Sequence, residues 1–259
     1  MPKLAITGKG GVGKTTLAAL LSHLYAAAGK IVLAIDADPD ANLASALGIP
    51  EEQVNSITPI AEMQDLIMER TGAQSGTFGG MFKLNPRVDD IPDRFSIEHR
   101  GIKLLTLGTI QSGGSGCICP ESALLRALMT HLLVGRSEVV ILDMEAGLEH
   151  LGRGTASAVD AFIVVVEPGQ RSIQTAAAIR KLASDIGVHR VYVVGNKVRH
   201  QRDRTFIREH LPGDEILGFL SYSPLAIEAD LERKAIFDMD PHMLKEARVI
   251  KEKLDTLSK

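Results

Sequence analysis

The most constraining feature of this sequence is a glycine-rich loop close to its start. The segment Gly8-Lys9-Gly10-Gly11-Val12-Gly13-Lys14-Thr15 fits the pattern G-x-x-x-x-G-K-[ST], follows an apolar run and precedes an alanine- and leucine-rich helical stretch. Glycines let backbone N–H groups turn toward phosphate oxygens, and the positive end of the following helix faces the same anion. The pattern predicts a phosphate-binding loop in which Lys14 bridges the β- and γ-phosphates and the Thr15 hydroxyl ligates Mg²⁺. The predicted nucleotide contacts here are Gly10, Gly11, Val12, Gly13, Lys14, Thr15 and Thr16.

The same loop contains a competing pattern. Gly8, Gly10 and Gly13 match G-x-G-x-x-G, and Asp36 lies about twenty residues downstream at a strand end, as in dinucleotide-binding folds. A dinucleotide loop holds pyrophosphate with its backbone and needs neither Lys14 nor Thr15. We therefore favour a nucleoside triphosphate site over an NAD-type oxidoreductase.

Short apolar runs alternate with helical patterns along the chain. The runs are continuous rather than alternating, which indicates strands buried on both faces and mostly parallel pairing. The predicted strands are Leu4–Thr7, Ile31–Ile35, Lys103–Leu107, Val139–Leu142, Ala161–Val166, Val191–Val194 and Glu215–Phe219. The predicted helices are Lys14–Ala28, Ser122–Val134, Ile173–Ile186 and His242–Leu257. This order predicts an α/β fold with a doubly wound, mostly parallel sheet and helices on both faces.

One region departs from this alternation. We expect residues 1–259 to form a single domain with an irregular insertion at about 50–100, rich in glycine and proline. We expect a helix near Pro59–Arg70 and an edge hairpin before Gly101. The region is either surface filler, which we favour slightly, or a partner-facing lobe.

Composition limits the classes of function. The chain has 259 residues, and its 29 Lys+Arg against 32 Asp+Glu give a net charge of −3, so no nucleic-acid surface is implied. No apolar run approaches the roughly 18 residues of a membrane span, and the apolar positions of the last helix fit core packing better than membrane binding. The start of the chain lacks the apolar stretch of a signal peptide. We therefore expect a cytoplasmic protein without a nucleic-acid or membrane partner.

Carboxylates follow two of the predicted strands. Asp36, Asp38 and Asp40 lie at the end of the second strand, where ligands bind in open α/β sheets. For Asp40 we favour a helix-capping role ahead of the helix that begins near Asn42. Val139-Val140-Ile141-Leu142-Asp143 is an apolar strand ending in an acid, which predicts that Asp143 holds Mg²⁺ through water and that the Gly147 N–H meets the γ-phosphate.

The chain has two cysteines, in the Gly/Ser-rich segment that includes Cys117-Ile118-Cys119. Residues i and i+2 of an extended chain point to the same side, so both thiolates can approach one ion, whereas a disulfide across one residue would be strained. Two sulfurs leave a site incomplete, but a symmetric dimer supplies four, which suits Zn²⁺ or Ni²⁺. The alternative is two small buried hydrophobic residues.

The segment from Lys9 to Thr16, Lys-Gly-Gly-Val-Gly-Lys-Thr-Thr, resembles the deviant Walker A motif of the family that contains MinD, ParA and the nitrogenase iron protein. The resemblance implies that Lys9 reaches the nucleotide of the opposite subunit, so that ATP binding is coupled to dimerisation; a solvated loop lysine is the alternative. It also implies that Asp38 orients the attacking water and that Asp36 lies at or near Mg²⁺.

The same resemblance implies contacts to the base. Asn196 follows the run Val191–Val194 and corresponds to an asparagine that reads the adenine edge in the family, although asparagine is also a common turn residue. The loop from Ser221 to Leu225, with Pro224, would cover the base.

The cysteine pair together with residues 143–154 resembles the CooC-type branch of this family more closely. That resemblance implies a homodimeric Mg-ATPase that assists nickel insertion into carbon monoxide dehydrogenase, its client. Two competing functions remain. One is a MinD/ParA-like positioning ATPase. The other is an electron-transfer ATPase with an iron–sulfur cluster between subunits, weakened because the loop after Asp143 has no cysteine.

Overall fold

The computed structural model describes residues 1–73, 81–108, 119–145, 158–188, 190–211 and 215–257. In this part of the chain eight strands form one sheet. They are β1 (Lys3–Gly8), β2 (Val32–Ala37), β3 (Ile97–His99), β4 (Ile102–Thr106), β5 (Val139–Met144), β6 (Ala161–Val166), β7 (Val191–Val198) and β8 (Ile216–Ser221). Their order is β3-β4-β2-β5-β1-β6-β7-β8. Every neighbouring pair is parallel except the hairpin β3–β4.

The helices lie between and after these strands. In chain order they are α1 (Lys14–Ala27), α2 (Leu43–Ala46), α3 (Glu51–Val54), α4 (Gln64–Thr71), α5 (Ile91–Phe95), α6 (Pro120–Thr130), α7 (Gln170–Asp185), α8 (Gln201–His210), α9 (Leu225–Leu231), α10 (Ile236–Met239) and α11 (Pro241–Leu257). A 3₁₀ turn at Ile60–Glu62 precedes α4, and a π-helical segment at His131–Gly135 extends α6.

The sheet is covered on both faces because its central strands are apolar throughout. Every residue of β1, β2, β5 and β6 is buried. Alternate side chains of these strands enter two separate cores. One core joins the sheet to α1 and α11, and the other joins it to α4, α6 and α7. The predicted doubly wound fold is confirmed.

The region at 50–100 also fits the core. The expected helix appears as the 3₁₀ turn and α4, and the expected hairpin is β3–β4, which turns at Arg100 and Gly101 with φ angles of 52° and 75°. Ile60 and Ile91 are fully buried. The 3₁₀ turn, α4 and α5 therefore pack into the core, whereas α3 buries no residue and lies at the surface.

Helix α8 was not expected from the sequence. It has the residues QRDRTFIREH, of which only Ile207 is buried. Phe206 and Ile207 are its only apolar residues, too few to form the repeating i, i+3, i+4, i+7 pattern that predicts an amphipathic helix.

Helix α11 closes the core, as its spacing predicted. Ala247, Ile250 and Leu254 are buried on its inner side. No helix in the described ranges combines the length and the apolar character that crossing a membrane requires.

Replacing Ile250 tests this packing. The Ile250 side chain is fully buried and lies against Gly218 of β8, where an added Cβ would come within 2.8 Å of Ile250 Cγ1. Ile250→Ala leaves a cavity in a close-packed layer and should lower the free energy of unfolding by about 2 to 4 kcal/mol in urea denaturation. Its neighbour Val249 is 52% exposed, so Val249→Ala is the matched control and should cost well under about 1 kcal/mol. Equal losses in the two variants would contradict this packing.

Candidate functional site

Residues far apart in the sequence meet at the carboxyl edge of the sheet. Strands β1, β2, β5, β6 and β7 run parallel, so the segments that follow them leave the sheet on one side. In the register of the sheet, Asp36 of β2 lies directly beside Asp143 of β5, and Asp143 lies beside Ile6 of β1. The predicted phosphate loop follows β1, so the sheet brings the acidic residues next to it.

The loop has the conformation that its glycines allow. Gly11 and Gly13 have φ angles of 77° and 95°, in the left-handed region that other residues avoid. A Cβ on Gly13 would also lie 2.1 Å from Nδ2 of Asn196. Helix α1 begins at Lys14, and the Leu17 N–H donates to the Gly13 carbonyl at 3.1 Å. The loop therefore presents the start of α1, with its unpaired N–H groups, to the carboxyl edge of the sheet.

Lys14 is a buried cation beside an acidic side chain. Its Nζ lies 3.4 Å from Oδ2 of Asp38, and the two side chains are only 7% and 13% exposed. This contact places the Asp38 carboxylate next to the phosphate loop. A residue that orients an attacking water must lie there. The catalytic role of Asp38 stays a prediction.

Asp36 positions the chain that follows β2. It is 1% exposed, and its carboxylate accepts hydrogen bonds from the Asp38 N–H at 3.2 Å and from the Leu43 N–H at 2.9 Å. Burial raises the pKa of Asp36 to about 7, the Leu43 N–H opposes this rise, and the charge of Asp143 adds to it. Because Leu43 is the first residue of α2, Asp36 accepts an N–H at the start of that helix. The capping role expected for Asp40 is wrong, because Asn42 occupies the N-cap position and the Leu43 N–H donates to Asp36.

Asp143 has the environment of a metal-site carboxylate. It is fully buried, and neither oxygen has a hydrogen-bond partner of normal geometry among the described residues. Burial raises its pKa to about 6, and the nearby Thr15 hydroxyl and Lys14 ammonium oppose that rise. A buried unpaired carboxylate next to a hydroxyl at a phosphate loop fits a hydrated Mg²⁺, which takes few protein ligands and keeps water and phosphate oxygens as the others.

A hydrogen bond from β1 holds Glu145, two residues after Asp143, beside the phosphate loop. The Thr7 hydroxyl, one residue before the loop begins, donates to the carbonyl of Glu145 at 2.6 Å. Gly147, the predicted γ-phosphate contact, lies outside the described residues.

A pocket of about 900 Å³ extends from the loop toward α9. Between the loop and Tyr222 it is lined by Asn196, whose amide donates to the Val12 carbonyl at 2.7 Å and accepts from the Lys197 N–H at 2.8 Å. The pocket is large enough for a nucleotide. Three residues of the predicted cover loop, Ser221, Tyr222 and Ser223, line the pocket, as do Ala226 and Ile227 of α9. Pro224, which directly precedes α9, and Leu225 are not among the lining residues. The adenine contacts of Asn196, Pro224 and Leu225 remain predictions.

Two residues at strand ends were missed in the sequence. Lys197 has a left-handed backbone, with φ at 56°, and its Nζ donates to the Gly11 carbonyl at 2.6 Å. Glu167 follows β6, and its carboxylate lies 3.6 Å from Lys197 Nζ and 3.9 Å from Lys9 Nζ. Charged residues near the ends of predicted parallel strands are candidates for the functional site. The sequence does not show, however, which loop residue each of the two contacts.

The described part of the cysteine segment is Cys119. It is half-buried and precedes α6, where its Sγ accepts the Ser122 N–H at 3.4 Å and lies 3.0 Å from the Ser122 hydroxyl oxygen. Cys117 lies outside the described residues. Within the described ranges no group of three or more His, Cys, Asp or Glu side chains could hold a metal ion. The shared metal site stays a prediction.

A phosphate loop between a strand and a helix, with a buried lysine and two acidic strand ends beside it, defines a P-loop nucleotide-binding enzyme. Residues 3–236 match the CobQ/CobB/MinD/ParA nucleotide binding domain. The chain is 49% identical over 239 residues to the carbon monoxide dehydrogenase accessory protein CooC of Rhodospirillum rubrum, covering 92% of this chain and 90% of CooC. It is 46% identical to an uncharacterized ATP-binding protein of Methanocaldococcus jannaschii, covering 96% and 95% of the two chains.

A solved structure shows the same fold. The MinC:MinD cell division protein complex of Aquifex aeolicus includes a chain that aligns with a TM-score of 0.71 at 20% identity, covering 99% of this chain and 96% of that one. The chain belongs to the CobQ/CobB/MinD/ParA nucleotide-binding family and is an ATPase. The expected resemblance to CooC-type proteins is confirmed.

Neutralising Asp143 should stabilise the protein in the absence of ligands. The native carboxyl titrates at a pKa of about 6 rather than 3.8, so it favours folding least above pH 6, where the buried group must be charged. Asp143→Asn removes this cost and should raise the free energy of unfolding at pH 8 by on the order of 2 to 3 kcal/mol. The gain should shrink as the pH falls from 6 toward 4, where the wild-type carboxyl is protonated.

Thermal melts at pH 5 and pH 8 in EDTA, without nucleotide, measure this difference. The exposed Asp185 at the end of α7 gives the matched control Asp185→Asn, which should not shift with pH in this way. A gain for Asp143→Asn that is the same at both pH values would show that the buried charge is not its cause.

Proposed function

We propose that this protein is a homodimeric, cytoplasmic Mg²⁺-ATPase that assists ATP-dependent nickel insertion into carbon monoxide dehydrogenase and binds one divalent metal per dimer through Cys117 and Cys119. The observation that carries the proposal is the 49% identity to CooC, named as a carbon monoxide dehydrogenase accessory protein, over 92% of the chain. The cysteine pair and the phosphate loop belong to that same chain.

Hydrolysis uses residues from three strand ends. Lys14 and the loop N–H groups bind the β- and γ-phosphates of ATP, and the Thr15 hydroxyl with Asp143 positions Mg²⁺. Mg²⁺ supplies charge neutralisation on the phosphate oxygens. Asp38 orients the attacking water. The 3.4 Å pairing of Lys14 with Asp38 supports this, because a phosphate that attracts the lysine leaves the carboxylate free to accept a hydrogen bond from water.

Lys9 contributes to the site of the partner subunit. It lies at the outer side of the loop with its side chain 41% exposed, so it is able to reach beyond its own subunit. A lysine that meets the γ-phosphate only in the dimer gives ATP different contacts in the monomer and in the dimer, and such a difference is what couples nucleotide binding to association.

The metal is cargo held by sulfur. Cys119 lies at the start of α6, where its Sγ accepts the Ser122 N–H at 3.4 Å, so the helix fixes the position of this sulfur. Two protomers bring four sulfurs together, a set that suits Zn²⁺ or Ni²⁺. A positioning ATPase of the MinD/ParA type has no use for such a pair, and an electron-transfer ATPase would bind iron and sulfide with it.

Two single substitutions test the roles of the lysines. Lys14→Ala removes the cation that holds the β- and γ-phosphates, and Lys9→Ala removes the one that reaches the partner's nucleotide. Each should lower Mg²⁺-dependent ATP turnover by about a hundred-fold or more. Lys14→Ala should also weaken nucleotide binding to the monomer, whereas Lys9→Ala should leave it unchanged. A normal turnover rate in either variant would rule out the role given to that lysine.

Removing the cysteines tests the metal site. Elemental analysis after gel filtration should give about one Zn²⁺ or Ni²⁺ per dimer for the wild type, and none for the double variant Cys117→Ala, Cys119→Ala. Ser122→Ala is a control that keeps both sulfurs and should retain the metal. Unchanged stoichiometry in the double variant would exclude the site, and iron with sulfide in the wild type would indicate the electron-transfer ATPase instead.

A further inference from the structure

Glu167 lies between two lysines at the mouth of the phosphate loop. Its Oε1 is 3.9 Å from Lys9 Nζ and its Oε2 is 3.6 Å from Lys197 Nζ. The position of the carboxylate is set by rigid elements on both sides. Glu167 directly follows β6, and its N–H donates to the hydroxyl of Ser172, which is buried in α7, at 3.0 Å.

The two lysines are held differently. Lys197 has a second partner, because its Nζ donates to the Gly11 carbonyl at 2.6 Å, and the adjacent Asn196 donates to Val12. Lys197 is therefore fixed to the loop even without Glu167. Among the described residues, Lys9 has one ion-pair partner, which is Glu167.

We propose that Glu167 is a positioning residue that holds Lys9 on its own subunit until dimerisation draws it to the nucleotide of the partner subunit. The proposal rests on the proposed function, which gives Lys9 that second position. When Lys9 leaves, Lys197 still neutralises the Glu167 carboxylate, so the departure does not leave an isolated anion beside the phosphates. Glu167 thereby opposes premature dimerisation, and Lys197 lowers the cost of releasing Lys9.

The size of the effect follows from exposure. The side chains of Lys9, Glu167 and Lys197 are 41%, 31% and 43% exposed. Ion pairs this exposed contribute about 0.2 to 1 kcal/mol, which corresponds to a shift of roughly 1.5- to 5-fold in an equilibrium. Glu167 therefore biases the position of Lys9 without locking it, as is needed for a contact that must break in every ATPase cycle.

A structural role for Glu167 makes a different prediction. If the carboxylate acted mainly by fixing Lys197 and so the shape of the loop, its loss would change the affinity of the monomer for nucleotide. The proposal predicts that Glu167→Gln leaves the ADP affinity of the monomer unchanged, because Lys197 keeps its bond to Gly11.

The experiment compares wild type, Glu167→Gln and the matched control Glu252→Gln, an exposed charge removal on α11. Labelling of Lys9 by an amine-reactive ester, followed by mass spectrometry of the nucleotide-free monomer, should rise about 1.5- to 5-fold in Glu167→Gln and not in the control. The protein concentration that gives half-maximal dimer with ATP, measured by analytical ultracentrifugation, should fall in Glu167→Gln.

The outcomes separate this proposal from the proposed function. Unchanged Lys9 labelling, unchanged dimerisation or an altered ADP affinity in Glu167→Gln would each overturn the role of Glu167. Absence of ATP-dependent dimers in the wild type would instead overturn the proposed function, and the labelling would still report whether Glu167 holds Lys9.

Discussion

The buried ammonium of Lys14 is the interaction on which the site depends. It is 7% exposed and lies at the start of α1, beside Asp38 and near Asp143, with Asp36 next to Asp143 in the sheet. Asp38 and Asp143 lie near this one buried cation and Asp36 lies beside Asp143, so negative charge is in excess. Burial raises the pKa values of Asp36 and Asp143 to about 7 and 6, because the charged form of a buried carboxyl group is costly in free energy. A divalent cation arriving with a nucleotide relieves that excess, so the same cluster that destabilises the free protein favours its ligand-bound form.

The two lysines of the loop differ in exposure, and this difference fits two separate roles: Lys14 binds the nucleotide, and Lys9 acts in the association of two subunits. Lys14 is buried and fixed, as a residue that grips phosphate in every state should be. Lys9 is exposed and held by one carboxylate, so it is able to exchange partners. Glu167 and Lys197 connect the ends of β6 and β7 to the loop. Because Glu167 contacts Lys9, the order of the strands determines where the Lys9 side chain lies.

The sequence predicts the parts of this molecule that carry strong local patterns. The glycine loop, the buried strands and the acid at the end of β5 are all visible because backbone conformation or burial on both faces restricts the residue types. Helix α8 is not visible, since Phe206 and Ile207 are its only apolar residues. That Asp36 rather than Asp40 accepts the N–H at the start of α2 depends on the path of a short turn, which no pattern of residue types specifies.

Contacts between strand ends are the second kind of information that the sequence lacks. Glu167 and Lys9 are far apart in the chain and meet only because β6 lies beside β1 in the sheet. Asn196 was expected at the base, and the structure adds that its amide bonds to Val12, close to where a side chain on Gly13 would collide with it. Such pairings require the strand order, which apolar runs alone do not fix.

Mixing two inactive variants tests the central claim most directly. The Lys9→Ala protomer has an intact phosphate grip, and the Lys14→Ala protomer still carries Lys9 to offer its partner. Half of the dimers in a random 1:1 mixture are mixed, and each has one complete site, so ATP turnover should recover to about a quarter of the wild-type value. If the mixture stays as inactive as its two components, Lys9 does not act across the dimer and the account of the site is wrong.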